Sequence, residues 1–323
     1  MPFVRMLSAT VVWVTLGTFC GADELRVAVQ KTGTFAWERA VIRAHDLDKQ
    51  ADLSVKVLEL ASPEAGKIAL RAGNADIVVT DWLWVSRERA LGAKLTFYPY
   101  SSALGAVMVP AASPIRSLAE LKGRKLAVAG GPIDKNWLLL RAWLKQDGID
   151  LKSDATIAYG APPLLAAKML SGEMDATVNY WNFCASLEAK GFRRLAGIED
   201  LLPKLGAKGR TAILGYVFDE KWANANRDKV ARFVAMTRKA KEILAASDAE
   251  WEKIAPLTGA ADAATLHAYR DRYREGIPRR PVADEEADAR TLYRVLAEIG
   301  GSELVGPAPE LVLGTFYHAI PGG

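Results

Sequence analysis

Gly73-Asn74-Ala75-Asp76-Ile77-Val78-Val79-Thr80-Asp81-Trp82-Leu83-Trp84 is the stretch on which the fold turns. A turn signal at Gly73 and Asn74 leads through Asp76 into the β-branched run Ile77-Val78-Val79, which stops at Thr80-Asp81, where an amphipathic helical pattern begins. This predicts a buried strand whose carboxyl end opens onto a helix N-terminus. In open α/β sheets ligands sit at such places, because free backbone N–H groups and the helix dipole converge there. Here the place offers one carboxylate, Asp81, and two indoles, Trp82 and Trp84.

The phrase recurs. Gly172-Glu173-Met174-Asp175-Ala176-Thr177-Val178-Asn179-Tyr180-Trp181 repeats the Gly-x-x-Asp lead-in, the β run and an aromatic strand end, at an offset of 175 − 76 = 99. The same offset carries the first strand candidate, Leu25 to Gln30, onto Arg124 to Ala129, where Lys125-Leu126-Ala127-Val128-Ala129 also reads as a strand. A period of that length excludes a solenoid and predicts a duplicated α/β unit.

The 323 residues have room for about two domains, and half of them are apolar. Arg5 followed by the uncharged run Met6 to Phe19 and the small residues Gly21-Ala22 predicts a secretory signal peptide over residues 1–22, cleaved near Ala22. Its removal takes the net charge from +4 to 4 − 1 = +3, with the basic residues scattered among acids. No nucleic-acid partner is expected from that pattern. After cleavage Cys184 is the single cysteine, so no internal disulfide is expected.

Along the mature chain, Leu25 to Val29 is a strand, Gln30 to Trp37 a turn opening a helix to about Lys49, and Ser54 to Leu60 a second strand. Ser62-Pro63 then caps and starts a helix to about Ala72. Strand, helix, strand, helix, strand is a parallel unit with right-handed crossovers. Leu95 to Val109 and Thr211 to Phe218 read as two long extended crossings between the halves. Ile115 to Lys122 reads as a short helix before the second unit. The apolar stripes Val230, Phe233, Val234, Met236, Ile243 and Leu292, Val295, Leu296, Ile299 mark late helices, the second closed by Gly300-Gly301, which are expected to pack back on the first lobe. The domain reading is 23–102 for the first part of lobe 1, 103–213 for lobe 2, and 214–323 for the rest of lobe 1. The fold class is α/β, with two similar parallel-sheet lobes joined by two extended crossings.

With these features, and with Ser113 to Val128 (Ser-Pro-Ile-Arg-Ser-Leu-Ala-Glu-Leu-Lys-Gly-Arg-Lys-Leu-Ala-Val) leading into the second unit and Gly73-x-x-Asp76-Ile77 as third strand, the chain resembles the periplasmic solute-binding proteins of ABC transporters. Within them it is most similar to the type II group of sulfonate, taurine, nitrate and thiamine-pyrimidine binders. The resemblance spans nearly the whole mature chain and is architectural. It implies a periplasmic, monomeric two-lobe clamp that closes on a small-molecule solute and delivers it to a membrane ABC permease, with no cofactor.

The candidate ligand-binding residues lie at strand ends and on the first crossing. Asp81 has two readings, ligand contact or N-cap, and Trp82 and Trp84 are stacking surfaces or core. Thr34, Phe35 and Trp37 follow the first strand, Glu59 ends the second, and Tyr100, Ser101 and Ser102 sit on the crossing. In the second lobe Gly131 belongs to a turn whose free N–H groups suit an anion, Asp134 caps the next helix, and Asn179, Tyr180 and Trp181 close the repeated phrase. The cations expected near the cleft are Lys31 and Lys135, so the composition leans towards a planar, neutral or cationic organic solute.

Two rivals remain open. An enzyme of the same fold, of the pyrimidine-synthase kind, needs a placed nucleophile, base or metal set, whereas His45, His267 and His318 are dispersed and Cys184 is solitary. A metal or metal-chelate scavenger needs Glu59, Asp81 and Asp134 to converge. The arginine-rich segment Arg270 to Arg280 also holds Asp271 and Glu275, and reads as a solvated helix face rather than a permease-docking surface.

Overall fold

The computed structural model describes residues 22–30 and 33–320, so the expected signal peptide, up to residue 21, and Lys31 lie outside the described residues. The strands are Asp23–Gln30 (β1), Leu53–Leu60 (β2), Ile77–Asp81 (β3), Leu95–Ser101 (β4), Ala106–Val109 (β5), Lys125–Ala129 (β6), Thr156–Gly160 (β7), Ala176–Asn179 (β8), Arg193–Gly197 (β9) and Leu214–Asp219 (β10). They form two five-stranded sheets, β2-β1-β3-β10-β4 and β7-β6-β8-β5-β9.

The repeated Gly-x-x-Asp lead-in has a physical reason. Gly73 and Gly172 take φ of 72° and 75°, the left-handed region that a Cβ disfavours. Three residues later, Asp76 donates its backbone N–H to the Arg26 carbonyl at 2.8 Å while its carboxylate accepts the Arg26 N–H at 2.8 Å. Asp175 does the same with Lys125, at 3.0 and 2.8 Å. Each aspartate thereby sets the register of its third strand against its first: Val27 lies opposite Ile77, and Leu126 opposite Ala176.

The sheets are mixed, which corrects the parallel-sheet expectation. β10 runs antiparallel to β3 and β4, and β5 antiparallel to β8 and β9. Topology supplies the cause: the helix-connected strands all run towards the opposite lobe, whereas a chain arriving across the junction must enter its sheet running away from it.

Helices cover the sheet faces. Ser62 caps the helix Pro63–Arg71 by accepting the Ala65 N–H at 3.2 Å, with proline in the first turn. Leu118–Leu121 is a single 3₁₀ turn rather than the longer helix expected. Gly301, at φ 64°, is non-helical and breaks Val282–Val305 into two helices, the second of them short, so the stripe from Leu292 to Ile299 in the longer helix closes at Gly300-Gly301 as expected.

That helix also departs from expectation in what it covers. It packs on Trp82–Ala90 of the first lobe and on Lys135–Lys145 of the second, while Ala263–Glu275 packs on Trp181–Ala189. Leu292 and Leu296 are fully buried and Val295 partly so, and a stripe of that width serves two neighbours at once. Cys184 is buried, its Sγ 3.2 Å from the Asn179 carbonyl oxygen, and burial pushes its thiol up to about 12. Among the described residues, no helix is long and apolar enough to cross a membrane.

Candidate functional site

The carboxyl ends of β1, β3 and β4 face those of β6 and β8, and side chains meet across the gap. Asp81 ends β3 and serves both lobes. Its Oδ1 accepts the Trp84 N–H at 2.9 Å and so caps the helix Trp82–Ala90, while its Oδ2 accepts from Lys135 Nζ at 2.9 Å across the junction. Capping fixes the carboxylate's direction, and the second oxygen is left for the other lobe. Burial pushes the Asp81 carboxyl upward, but the Lys135 ammonium and its hydrogen bond outweigh this and hold it below the usual range. Burial likewise depresses Lys135, yet Asp81, Asp134 and Glu64 together hold its ammonium above its ordinary value.

Asp134 caps the Lys135–Lys145 helix, its Oδ1 accepting from the backbone N–H of Asn136 at 2.9 Å and of Trp137 at 3.3 Å. Tyr180 lies beside it. A Cβ placed on Gly130 would come within 2.7 Å of Tyr180 Oη and 2.9 Å of an Asp134 oxygen, so this turn needs glycine for close approach as well as for its φ of 86°. Burial, then the Asp134 charge, raises the Tyr180 phenol well above its normal value, so it stays a hydroxyl.

On the first lobe Thr34 Oγ1 and Tyr100 Oη lie 3.3 Å apart, and Phe35 packs on Tyr100 with ring centroids at 6.4 Å. Behind them is a group of residues that the sequence reading did not single out. Glu38 is fully buried and accepts from Lys241 Nζ and from Tyr273 Oη, the latter at 2.7 Å; Lys241 Nζ stands 4.2 Å over the Tyr100 ring. Both were findable. Glu38 interrupts the buried face Phe35, Val41, Ile42, and Lys241 interrupts Val230, Val234, Thr237, Leu244 at helical spacing.

Trp37 and Trp181 meet edge to face across the lobes at 5.7 Å. They belong to a cluster with Tyr273 and Trp251, which leaves Trp37 only 5% exposed and Trp181 half-buried.

Other candidates stand apart from this gathering. Trp82 is fully buried, donates its indole N–H to the Ala212 carbonyl at 3.0 Å and packs on Tyr293, so it serves the core beside the second crossing. Trp84 is buried beneath Lys67, whose Nζ is 5.4 Å from its ring. Glu59 is exposed and pairs with Arg39 at 3.3 Å. Asn179 is fully buried; its side chain bonds the Pro162 carbonyl and the Tyr180 N–H, shaping the strand end rather than opening onto the gap. Ser101 accepts from the Ala103 N–H, and Ser102 donates to the Gly276 carbonyl at 3.2 Å, both holding the first crossing. Gly131 is buried, at φ 140°.

The carboxylates of Glu59, Asp81 and Asp134 do not converge, each having its own partner above. Among the described residues, no group of three or more His, Cys, Asp or Glu is placed to hold a metal ion. The histidines pair singly with carboxylates, His45 with the buried Glu250, His267 with Glu252 and His318 with Glu286.

Comparison with known proteins agrees with this architecture. No curated protein matches the sequence. Among solved structures, the chain is similar to the alkanesulfonate-binding protein SsuA from Xanthomonas axonopodis pv. citri bound to MOPS, at TM-score 0.67 and 20% identity over 91% of this chain and 98% of that one. It is also similar to the periplasmic aliphatic sulphonate binding protein SsuA from Escherichia coli, at TM-score 0.73 and 20% identity over 91% and 92%. The desulfurization enzyme DSZB shares the fold at TM-score 0.57 and 16% identity, over 86% and 92%. At these identities the likeness is one of fold, that of the periplasmic binding proteins. The family profile described as NMT1/THI5 like matches residues 45–250, well over half of the sequence, and the chain belongs to that family.

Proposed function

We propose that this chain is the exported solute-binding component of an ABC importer, a monomer that closes its two lobes on a small organic solute and passes it to a membrane permease. The observation that carries the reading is the Asp81 to Lys135 ion pair: a capped strand end of one lobe holds a helix-initiating lysine of the other at 2.9 Å. Such a contact forms only when the lobes are together, and it lies among the groups suited to a solute, the Thr34 and Tyr100 hydroxyls, the Tyr180 phenol and the exposed edge of Trp181. These give hydroxyl donors and acceptors beside aromatic faces, which favours a planar, neutral or cationic organic solute. The family membership and the binding-protein relatives support the transport role. Against catalysis stands the chemistry of the chain: the Cys184 thiol is buried and held protonated, and each histidine is occupied away from the gap.

One observation favours a second solute class. Lys135 starts its helix beside the Gly130-Gly131 turn, so a lobe opening that frees it from Asp81 leaves an ammonium and backbone donors for a sulfonate. The experiment is thermal unfolding against thiamine and aminopyrimidines, aliphatic sulfonates, nitrate, and hard metal ions with and without chelators. A solute at 100 times its dissociation constant adds roughly 2.7 kcal/mol, a rise of about 5 °C in Tm for a protein of this size. A shift with the first group establishes the planar-solute reading, one with sulfonates the second class. A shift with metal alone, or none with any solute, overturns the proposal.

A further inference from the structure

The helices Ala263–Glu275 and Val282–Val305 are joined by a loop that runs against both crossings. Ser102 of the first crossing bonds the Gly276 carbonyl through its backbone N–H at 2.9 Å, and Arg210 of the second donates to the Glu275 carbonyl at 3.1 Å. Between loop and crossings lies a cavity of about 460 Å³, lined by four arginines, Arg210, Arg274, Arg279 and Arg280, with two acidic residues, Glu275 and Glu285. Of the strand-end residues considered above, only Ser102 lines it.

The guanidinium groups are not all spent on the protein. Arg280 is held by Asp288 at 2.6 Å, Arg274 by Asp248 at 2.7 Å, and Arg210 by Glu275 at 3.7 Å, each leaving further N–H donors on its fork. Among the described residues, no hydrogen bond or ion pair engages Arg279, which is exposed on the cavity rim. Glu285 supplies an independent sign. It is 1% exposed; its Oε2 accepts the Ala212 N–H at 2.7 Å, while its Oε1 is buried without a partner in the cavity wall. A buried carboxyl oxygen left unmatched disfavours the ionised form, and Arg280 is the arginine whose charge acts on this carboxyl.

We propose that this cavity behind the crossings is a second binding site, separate from the interlobe gap, for a small multivalent oxyanion of the polycarboxylate or phosphate-bearing kind. Arg279 and the open edges of Arg210, Arg274 and Arg280 bind the anion's oxygens in bidentate fashion. Glu285 lies just beneath them and acts through its charge: as a neutral acid it leaves the arginines' field to the anion. Burial raises its pKa to about 7, against the opposing pull of the Ala212 N–H and Arg280, with Asp288 and Asp284 adding to the rise. Anion and proton therefore enter together: uptake is stronger below about pH 7 and weakens above it as Glu285 ionises beside the ligand. The cavity is far larger than the roughly 30 Å³ of one water, so an organic polyanion fits.

The test is calorimetric titration of the full protein with citrate and, separately, with inorganic phosphate. The expected result is saturable one-to-one binding of citrate, weakened about tenfold or more by Arg279→Glu and by raising the pH from about 6 to about 8. Glu285→Gln, which keeps the bond to Ala212 and removes the ionisable charge beneath the cavity, is expected to retain citrate binding and lose the pH dependence. Tighter phosphate than citrate binding would identify the phosphate-bearing class. Absence of saturable binding of either anion, or binding that Arg279→Glu leaves unchanged, overturns the proposal and returns the segment to a solvated arginine face. Asp81→Asn acts on the interlobe gap alone, so citrate binding in that variant separates this site from the solute site.

Discussion

Two carboxylate–ammonium pairs, Glu38 with Lys241 and Asp81 with Lys135, look alike as contacts and differ in what surrounds them. The first lies inside one lobe, with the glutamate side chain 0% and the lysine 10% exposed; the second spans the two lobes, at 8% and 29%. Their lysines shift in opposite directions. Burial dominates at Lys241 and lowers its pKa, because Glu38 is its single compensating charge. At Lys135 the carboxylates of Asp81, Asp134 and Glu64 overcome burial and raise it. The difference teaches that a buried ion pair is a fixed element of the core when water can reach it only by unfolding, and a reversible latch when a rigid-body motion rehydrates both partners.

The largest effect is expected from breaking the fixed pair. Lys241→Met strands the Glu38 carboxylate among tyrosines and should cost about 3–5 kcal/mol in denaturant unfolding. A loss below about 1 kcal/mol would show that water already reaches the pair, and the contrast would collapse. Asp81→Ala comes next. It removes the ion pair with Lys135 and the cap on the Trp82–Ala90 helix, and the cap alone is worth about 1 kcal/mol. Smaller still is Lys135→Met, which keeps the cap: on the proposed hinge motion, opening hydrates Asp81, so stability should fall by less than about 1 kcal/mol while the radius of gyration in solution scattering increases. An unchanged radius would mean that the C-terminal helices, not the ion pair, hold the lobes together.

Acidity gives the gentlest test. The Asp81 carboxyl is held below its ordinary 3.8, so its stabilising contribution is present above that value and disappears as the pH falls through the lower, folded-state value. Lys135 is held above 10.5, so its contribution is complete below 10.5 and is lost as the pH rises through the higher value. Scattering should therefore report one compact form between these limits and a more open one at the acid end. Opening near neutrality would assign closure to other groups.

The strand phrase and its 99-residue echo were legible because both local needs, a left-handed glycine and an aspartate clamping the neighbouring strand, are written in residue types. Strand direction at the crossings was not legible: pairing of β10 between β3 and β4 depends on where a distant segment enters the sheet, and no short-range signal encodes that. The double role of Asp81 was only half readable, since capping follows from position whereas the second oxygen's partner comes from another lobe. Trp82 shows the same limit. An indole at a strand end turns to gap or core according to which acceptor is nearby, and the Ala212 carbonyl comes from 130 residues along the chain. Glu38 and Lys241 were readable in principle, as single charges interrupting apolar stripes.

The placement of β10 has a kinetic corollary. The strands of the second sheet, β5 to β9, follow one another without interruption from Ala106 to Gly197, so that sheet can assemble as soon as its own stretch is available. The first sheet cannot, because β10 separates β3 from β4 and begins 214 − 101 = 113 residues after β4 ends. Its completion carries a long loop-closure entropy and a high contact order, and until then β3 and β4 present unpaired edges. Refolding is thus expected in two steps, the inserted lobe first, with the partly built first sheet as the species most exposed to misassociation.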